Sequence, residues 1–345
     1  MTIALLVPGP FDTISGGYNY DRRLAEGLRE LGESVQVVEL TGRHPLPDDA
    51  AEEAAAASLA ALPAGTRLVI DGLGLPAFAP LAEELALRRA VALIHHPTAL
   101  EPGYTEAERD ALKQRERALL GACARLVTTS PLTARRLAEE FGIDPARIGV
   151  VEPGTDPAPR AQGSGGPGVA LLSVGALTPR KGHDVLLRAL AGLPDLDWTL
   201  TIAGAERDPV HARGLRALAE TLGIAQRVTF AGEVDAATLA ALYDRADAFA
   251  LATHWEGYGM AAAEALARGL PVAITAGGAI EELVPPEAGI CSPPGNAASL
   301  TKALRRLIFD SALRAEMARN AWEAGQRLPG WQDRAKLFLA ELARA

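Results

Sequence analysis

Apolar runs of strand length alternate with helical patterns along the chain. "IALLV" from Ile3, "RLVIDG" from Arg67, "AVALIHH" from Ala90 and "RLVTTS" from Arg125 each end at turn residues. Between them lie "YDRRLAEGLRELG", "LAEELALRRA", "EAERDALKQRERALL" and "SPLTARRLAEEFGI", with apolar positions three and four apart. The last opens with Ser130 as a cap and proline at the first helical position. This alternation predicts βαβ units around a parallel sheet. From Glu152 to Gly168 the pattern stops. "EPGTDPAPRAQGSGGPG" is rich in Pro and Gly without a period, and reads as an inter-domain linker. Alternation then restarts with "VALLSVG", a helix from His183, "WTLTIAG", a helix from Leu215, "RVTFAG", a helix from Ala236, "AFALAT", a helix from Met260 and "PVAIT". The chain is helical from Ser299, and a Pro-Gly-Trp break at 329–331 precedes a final helix to Ala345. The expected architecture is two doubly wound α/β domains facing across a cleft: 1–156, then 169–328, with 157–168 as linker. The Trp331 break suggests that the last helix, 331–345, packs back on the first domain.

A length of 345 residues agrees with two domains at about 150 residues each. The net charge of −9 argues against a nucleic-acid partner. Cys123 and Cys291 are too few and too far apart for a disulfide framework or a metal site. "MTIALLVPGP" lacks the basic lead and length of a signal peptide, and no apolar run reaches the ~20 residues of a membrane span. A cytoplasmic setting is the expectation. "GSGGPG" from Gly163 matches a dinucleotide-binding pattern, but a strand follows it where that pattern needs a helix.

The chemistry concentrates in 254–278, "HWEGYGMAAAEALARGLPVAITAGG". The carboxyl end of "AFALAT" delivers a turn, and a helix of very small residues starts near Gly259 or Met260. Free N–H groups at such a start form an anion seat suited to phosphate. Glu256 stands in the turn. Glu264 lies about one turn inside the helix, where a carboxylate can accept hydrogen bonds from hydroxyls such as those of a ribose. A solvated charge at each position is the plain alternative.

"EGYGMAAAE" resembles the E-x7-E signature of retaining glycosyltransferases of family 4, which have the GT-B fold. Further segments are similar to the same family: "SGGYNYDRRLAEGLRELG" from Ser15 to its N-terminal glycine loop, "LIHHP" from Leu93 to its strand-end histidine. "VVEPGTD" from Val150 is similar to its entry to the linker, and "SVGALTPRKGHDVLLRAL" from Ser173 to its phosphate-binding segment. The resemblance covers nearly the whole chain. It implies a nucleotide-diphosphate sugar as donor, most often UDP-linked, and a hexose moved to an acceptor hydroxyl. Neither a metal nor another cofactor is implied: fixed cations and helix N-termini stabilise the departing diphosphate. The cations are Arg180 and Lys181. Ala176 follows Gly175 where many members carry arginine, so the arginine role passes to Arg180. His95 is the family histidine expected at the donor sugar, with Glu256. Gly16, Gly17, Gly257, Tyr258, Gly259, Met260 and Glu264 are the remaining donor-binding residues. The implied substitution is front-face, the leaving phosphate helping to deprotonate the acceptor. Two other readings stand beside it: a sugar-nucleotide 2-epimerase of the same fold, which would need further acid/base residues in the cleft and which the E-x7-E string disfavours, and a non-catalytic sugar-nucleotide binder, against which Glu256, Lys181 and His95 argue.

The acceptor is not legible. Residues 1–156 hold 15 Lys and Arg against 23 Asp and Glu. Arg109, Lys113, Arg115, Arg117 and Arg125 cluster, but Glu106, Glu108 and Glu116 are interleaved, which reads as a mixed solvated face. A small-molecule, saccharide or lipid acceptor fits, on a soluble or only transiently membrane-associated enzyme.

Overall fold

The computed structural model describes residues 2–100 and 104–345. They form two units, Met1–Gly154 with Pro329–Ala345, and Thr155–Leu328. In the first, β1 (Thr2–Pro8) leads to α1 (Gly16–Glu30), β2 (Ser34–Leu40) to α2 (Asp49–Ala61), and β3 (Arg67–Asp71) to α3 (Ala82–Leu87). Then come β4 (Val91–Ile94), α4 (Glu106–Ala122), β5 (Arg125–Thr128), α5 (Pro131–Phe141) and β6 (Ile148–Val150). The second unit repeats the scheme with β7 (Val169–Val174), α6 (His183–Ala191), β8 (Trp198–Ala203), α7 (Pro209–Thr221), β9 (Val228–Gly232) and α8 (Ala236–Asp244). It continues with β10 (Ala248–Leu251), α9 (Met260–Ala267), β11 (Val272–Thr275), α10 (Ile280–Leu283) and β12 (Gly289–Ser292). Helices α11 (Ala297–Phe309) and α12 (Ser311–Gly325) complete it, and α13 (Trp331–Ala343) ends the chain.

Both sheets are six-stranded and parallel, ordered β2-β1-β3-β4-β5-β6 and β12-β11-β10-β7-β8-β9. The central strands β4, β5, β10 and β11 are buried at every position, as a sheet covered on both faces requires. Edge strand β2 instead alternates, with Ser34, Gln36 and Glu39 exposed, and so falls outside the apolar runs read from the sequence. Each sheet reverses its winding once, between β1 and β3 and between β7 and β10. Ligands of doubly wound sheets sit at the carboxyl ends of strands beside such a reversal.

Three helices start earlier than their apolar pattern. α1 begins at Gly16 because Ser15 caps it, accepting the Tyr18 N–H. α7 begins at Pro209 rather than near Leu215, since Asp208 caps it ahead of a first-turn proline. α11 begins at Ala297 behind Asn296. The segment 157–168, read as linker, is held by the second unit: the Ala161 N–H donates to the Arg268 carbonyl at 2.9 Å and the Gln162 N–H to the Asp244 carbonyl at 2.9 Å. The chain crosses from one unit to the other at Gly154–Thr155. "GSGGPG" lies in this segment, with Gly163 and Gly165 at positive φ, and opens no helix.

α13 packs against α1 and β5, burying Trp331, Phe338 and Leu342, each worth about 1.5–3 kcal/mol of apolar burial. Trp331 passes so close to Gly154 that a Cβ there would lie 2.6 Å from the Trp331 nitrogen. The basic cluster expected as a solvated face is divided by this packing. Arg125 is 7% exposed and pairs with Glu341 of α13, while also donating to the Ala146 carbonyl at 2.9 Å. Glu116 is buried too, and accepts the backbone N–H groups of Thr98 and Ala99 at 2.6 and 2.9 Å. Among the described residues no helix is long and apolar enough to cross a membrane.

Candidate functional site

In the second unit the turn after β7 carries Pro179–Lys181, and the turn after β10 carries His254–Gly259. They meet at the winding reversal. The His254 N–H donates to the Arg180 carbonyl at 2.8 Å, which ties the two turns by their backbones. Close approach at the end of the first turn requires a glycine. Gly182 has φ +62°, and a Cβ on it would lie 2.0 Å from the Ala252 carbonyl oxygen.

The side chains then converge. Lys181 Nζ donates to Glu256 Oε1 at 2.5 Å, and Arg180 Nη1 lies 3.7 Å from the same oxygen. Arg180 Nη1 also donates to the Trp255 carbonyl at 2.5 Å. Glu256 is 8% exposed. Burial alone would raise its pKa, but Lys181 and then Arg180 outweigh this and hold it below the usual carboxylate range. Burial depresses Lys181 despite the opposing pull of Glu256. A lysine ammonium has three donors and a carboxylate about four acceptor positions, so the pair retains capacity for a ligand.

Gly257, Tyr258, Gly259 and Met260 lead from Glu256 into α9. Gly259 stands at the start with φ +110°, and no side chain caps the helix. The α9 N-terminus therefore presents free donors and the positive dipole end beside the Lys181–Glu256 pair. One turn on, Glu264 Oε2 accepts the Tyr243 hydroxyl at 2.9 Å. Burial raises the Glu264 pKa, and the Tyr243 hydrogen bond opposes that shift. Arg268 lies over the Tyr243 ring, 4.5 Å from its centroid.

In the first unit Gly16 and Gly17 form the first turn of α1, and His95 follows β4. A Cβ on Gly17 would lie 3.3 Å from His95 Cδ2, so the glycine makes room for the imidazole. His95 Nε2 lies 2.9 Å from Asp21 Oδ1 and 3.4 Å from Asp71 Oδ2. Together these are the described His, Asp and Glu side chains grouped closely enough to hold a metal ion. Asp21, Asp71, Tyr243 and Arg268 were not singled out in the sequence. Asp71 could have been, as a charge closing the buried strand "RLVID".

The model of glycosyl transferases group 1 matches residues 158–324, and that of glycosyltransferase family 4 matches residues 73–159. A curated relative, the D-inositol 3-phosphate glycosyltransferase of Xylanimonas cellulosilytica, is 31% identical over 247 residues, 67% of this chain and 59% of the relative. The chain spans about half to three fifths of the length of such curated relatives. Among solved structures, the sucrose-phosphate synthase of Thermosynechococcus elongatus superposes with a TM-score of 0.84 at 22% identity, over 99% of this chain and 98% of that one. Anabaena HepE in complex with UDP-glucose gives 0.81 at 17% identity, over 100% of both chains. With two sheets of this topology and two adjoining family matches from residue 73 to residue 324, the chain belongs to the group 1 glycosyltransferases and has the two-domain GT-B fold.

Proposed function

We propose that the protein is a retaining hexosyltransferase that uses a nucleotide-diphosphate sugar, UDP-linked, and needs no metal ion. One observation carries the reading: Arg180, Lys181 and Glu256 are gathered at the uncapped start of α9, with Glu264 one turn along the same helix. The helix N-terminus and the two cations take the diphosphate. Glu264 accepts from the ribose hydroxyls. Glu256 accepts from the hexose, and His95 keeps the contact to the donor sugar that the family resemblance gives it. During transfer the bond from the anomeric carbon to the phosphate oxygen breaks and the acceptor oxygen bonds to the same face. The acceptor proton passes to the departing phosphate. Charge then builds on that phosphate, where preorganised cations stabilise it most.

The UDP-glucose in the HepE structure supports the choice of donor. The name of the curated relatives makes a phosphorylated polyol the first acceptor to try. Calorimetry with UDP tests the division of labour. Glu264→Gln should weaken UDP binding, the loss of a charge-assisted bond being worth about 1.5–3 kcal/mol. Glu256→Gln should spare UDP binding and lower transfer from UDP-glucose. Equal weakening of UDP binding by both variants, or a product of inverted anomeric configuration, would refute the reading.

A further inference from the structure

Asp21, on α1, is 1% exposed, and Asp71, at the end of β3, is 3% exposed. Both carboxylates address the same nitrogen of His95, at 2.9 and 3.4 Å. Asp71 is itself oriented, because its Oδ1 accepts the Leu73 N–H at 2.8 Å. Tyr20 sets its ring edge-on to the imidazole, with centroids 5.1 Å apart. The tyrosine is fixed in turn by donating its hydroxyl to the Val151 carbonyl at 2.9 Å. Asp21 Oδ2 is buried and has no hydrogen-bond partner.

This arrangement constrains the protonation of His95. Burial pushes the Asp21 carboxyl up to about 6, below neutral pH, so above that point Asp21 is an acceptor and the Nε2 it faces carries a proton in either charge state of the ring. The remaining choice lies at Nδ1, which accepts in the neutral ring and donates in the imidazolium. Buried carboxylates are costly unless a cation compensates them. Arg22 of α1 donates its Nη1 to the Phe11 and Thr13 carbonyls and compensates Asp21 less than His95 does.

We infer that Asp21, with Asp71 beside it, is a positioning residue that fixes the His95 ring and keeps it an imidazolium at neutral pH, so that His95 offers its ligand a charged N–H donor in place of an acceptor. The electrostatics agree. Burial alone would lower the imidazole pKa, yet the charge and hydrogen bond of Asp21, followed by those of Asp71, raise it to about 10. Such a donor matches an oxygen of a sugar hydroxyl or a phosphate. That His95 meets the donor sugar rests on the function proposed above, whereas its charge state does not.

The test is ¹⁵N NMR of the full chain labelled at histidine, with the His95 signals assigned from His95→Gln. In the wild type both ring nitrogens should stay protonated through about pH 8.5. In Asp21→Asn the ring should lose its proton below about pH 8, with a smaller drop in Asp71→Asn. A neutral His95 at pH 7 in the wild type overturns the inference, and so does an unchanged titration in a folded Asp21→Asn. If Asp21→Asn does not fold, the wild-type curve and Asp71→Asn decide. Stoichiometric Zn²⁺ displacing the Nε2 proton would make the triplet a metal site and also overturn it. In a transfer assay, Asp21→Asn should bring the alkaline fall of kcat down by at least one pH unit relative to the wild type. An unmoved pH–rate curve beside the expected NMR shift would leave the imidazolium standing and count against the proposed role of His95.

Discussion

Replacing Lys181 with methionine separates the structural from the catalytic part of the Lys181–Glu256 pair. Methionine keeps the length of the buried stem and removes the charge. Glu256 then remains 8% exposed, its nearest cation Arg180 at 3.7 Å. Breaking a buried pair from one side costs about 3–5 kcal/mol. Arg180 compensates part of the charge, so the expected loss is about 2–3 kcal/mol, or roughly 4–10 °C in the melting of a unit this size. Changing Glu256 to glutamine as well removes the stranded charge. The double variant Lys181→Met/Glu256→Gln should therefore be more stable than Lys181→Met alone, with a coupling energy of about 1–3 kcal/mol. Turnover should behave differently. Lys181→Met should lose about 10²-fold in kcat with UDP-glucose, and the second substitution should not restore it. Urea melts and initial rates on all four proteins complete the cycle. Strictly additive stability losses would show that the pair is not coupled. Recovery of turnover in the double variant would show that Lys181 acts only by neutralising Glu256, and the phosphate assignment would fall.

Tyr243→Phe removes the hydroxyl that Glu264 accepts and should weaken UDP binding about 5–10-fold, an ordinary hydrogen-bond loss; unchanged calorimetry would refute it. Gly182→Ala places a Cβ 2.0 Å from the Ala252 carbonyl in a residue with φ +62°, and should lower stability by at least about 1–2 kcal/mol while displacing the Lys181 turn; a wild-type melt would show that the turn can shift freely. His95 has a folded-state pKa raised from 6.5 to about 10, so its stabilising contribution is complete below about pH 6.5 and is lost as pH rises through 10. The melting temperature of the wild type should accordingly fall between about pH 7 and 10 more steeply than that of Asp21→Asn, and parallel curves would contradict this. Transfer should persist in EDTA, and loss restored only by Mg²⁺ or Mn²⁺ would end the metal-free reading.

The strands and the acid–glycine–helix string could be read locally because their signals are local. β4, β5, β10 and β11 are short apolar runs, and Glu256, Gly259 and Glu264 lie within nine positions of one another. What the sequence hid depends on distance along the chain. Residues 21, 71 and 95 meet only through the winding of the first sheet. Arg125 looks like a surface cation until Glu341, 216 positions away, folds onto it. Gly16 and Gly17 fall outside the apolar period of the helix because glycine is a poor helix former, yet Ser15 and the packing of α1 against α13 make them its first helical residues. The segment before β7 has no period, yet backbone hydrogen bonds, which side-chain patterns do not report, tie it to the second unit.

The return of α13 to the first unit has a consequence for how the protein is made. Residues 155–328 form a complete insertion within the first unit, whose chain leaves at Gly154 and resumes against it at Trp331. A ribosome therefore finishes the whole second unit before it supplies the helix that covers Tyr20 and neutralises Arg125. Until then the first unit lacks the apolar face of α13 and the Glu341 partner of Arg125, so its completion waits on residues synthesised after the whole second unit. Truncation before Trp331 would thus damage the first unit, which is encoded ahead of the second.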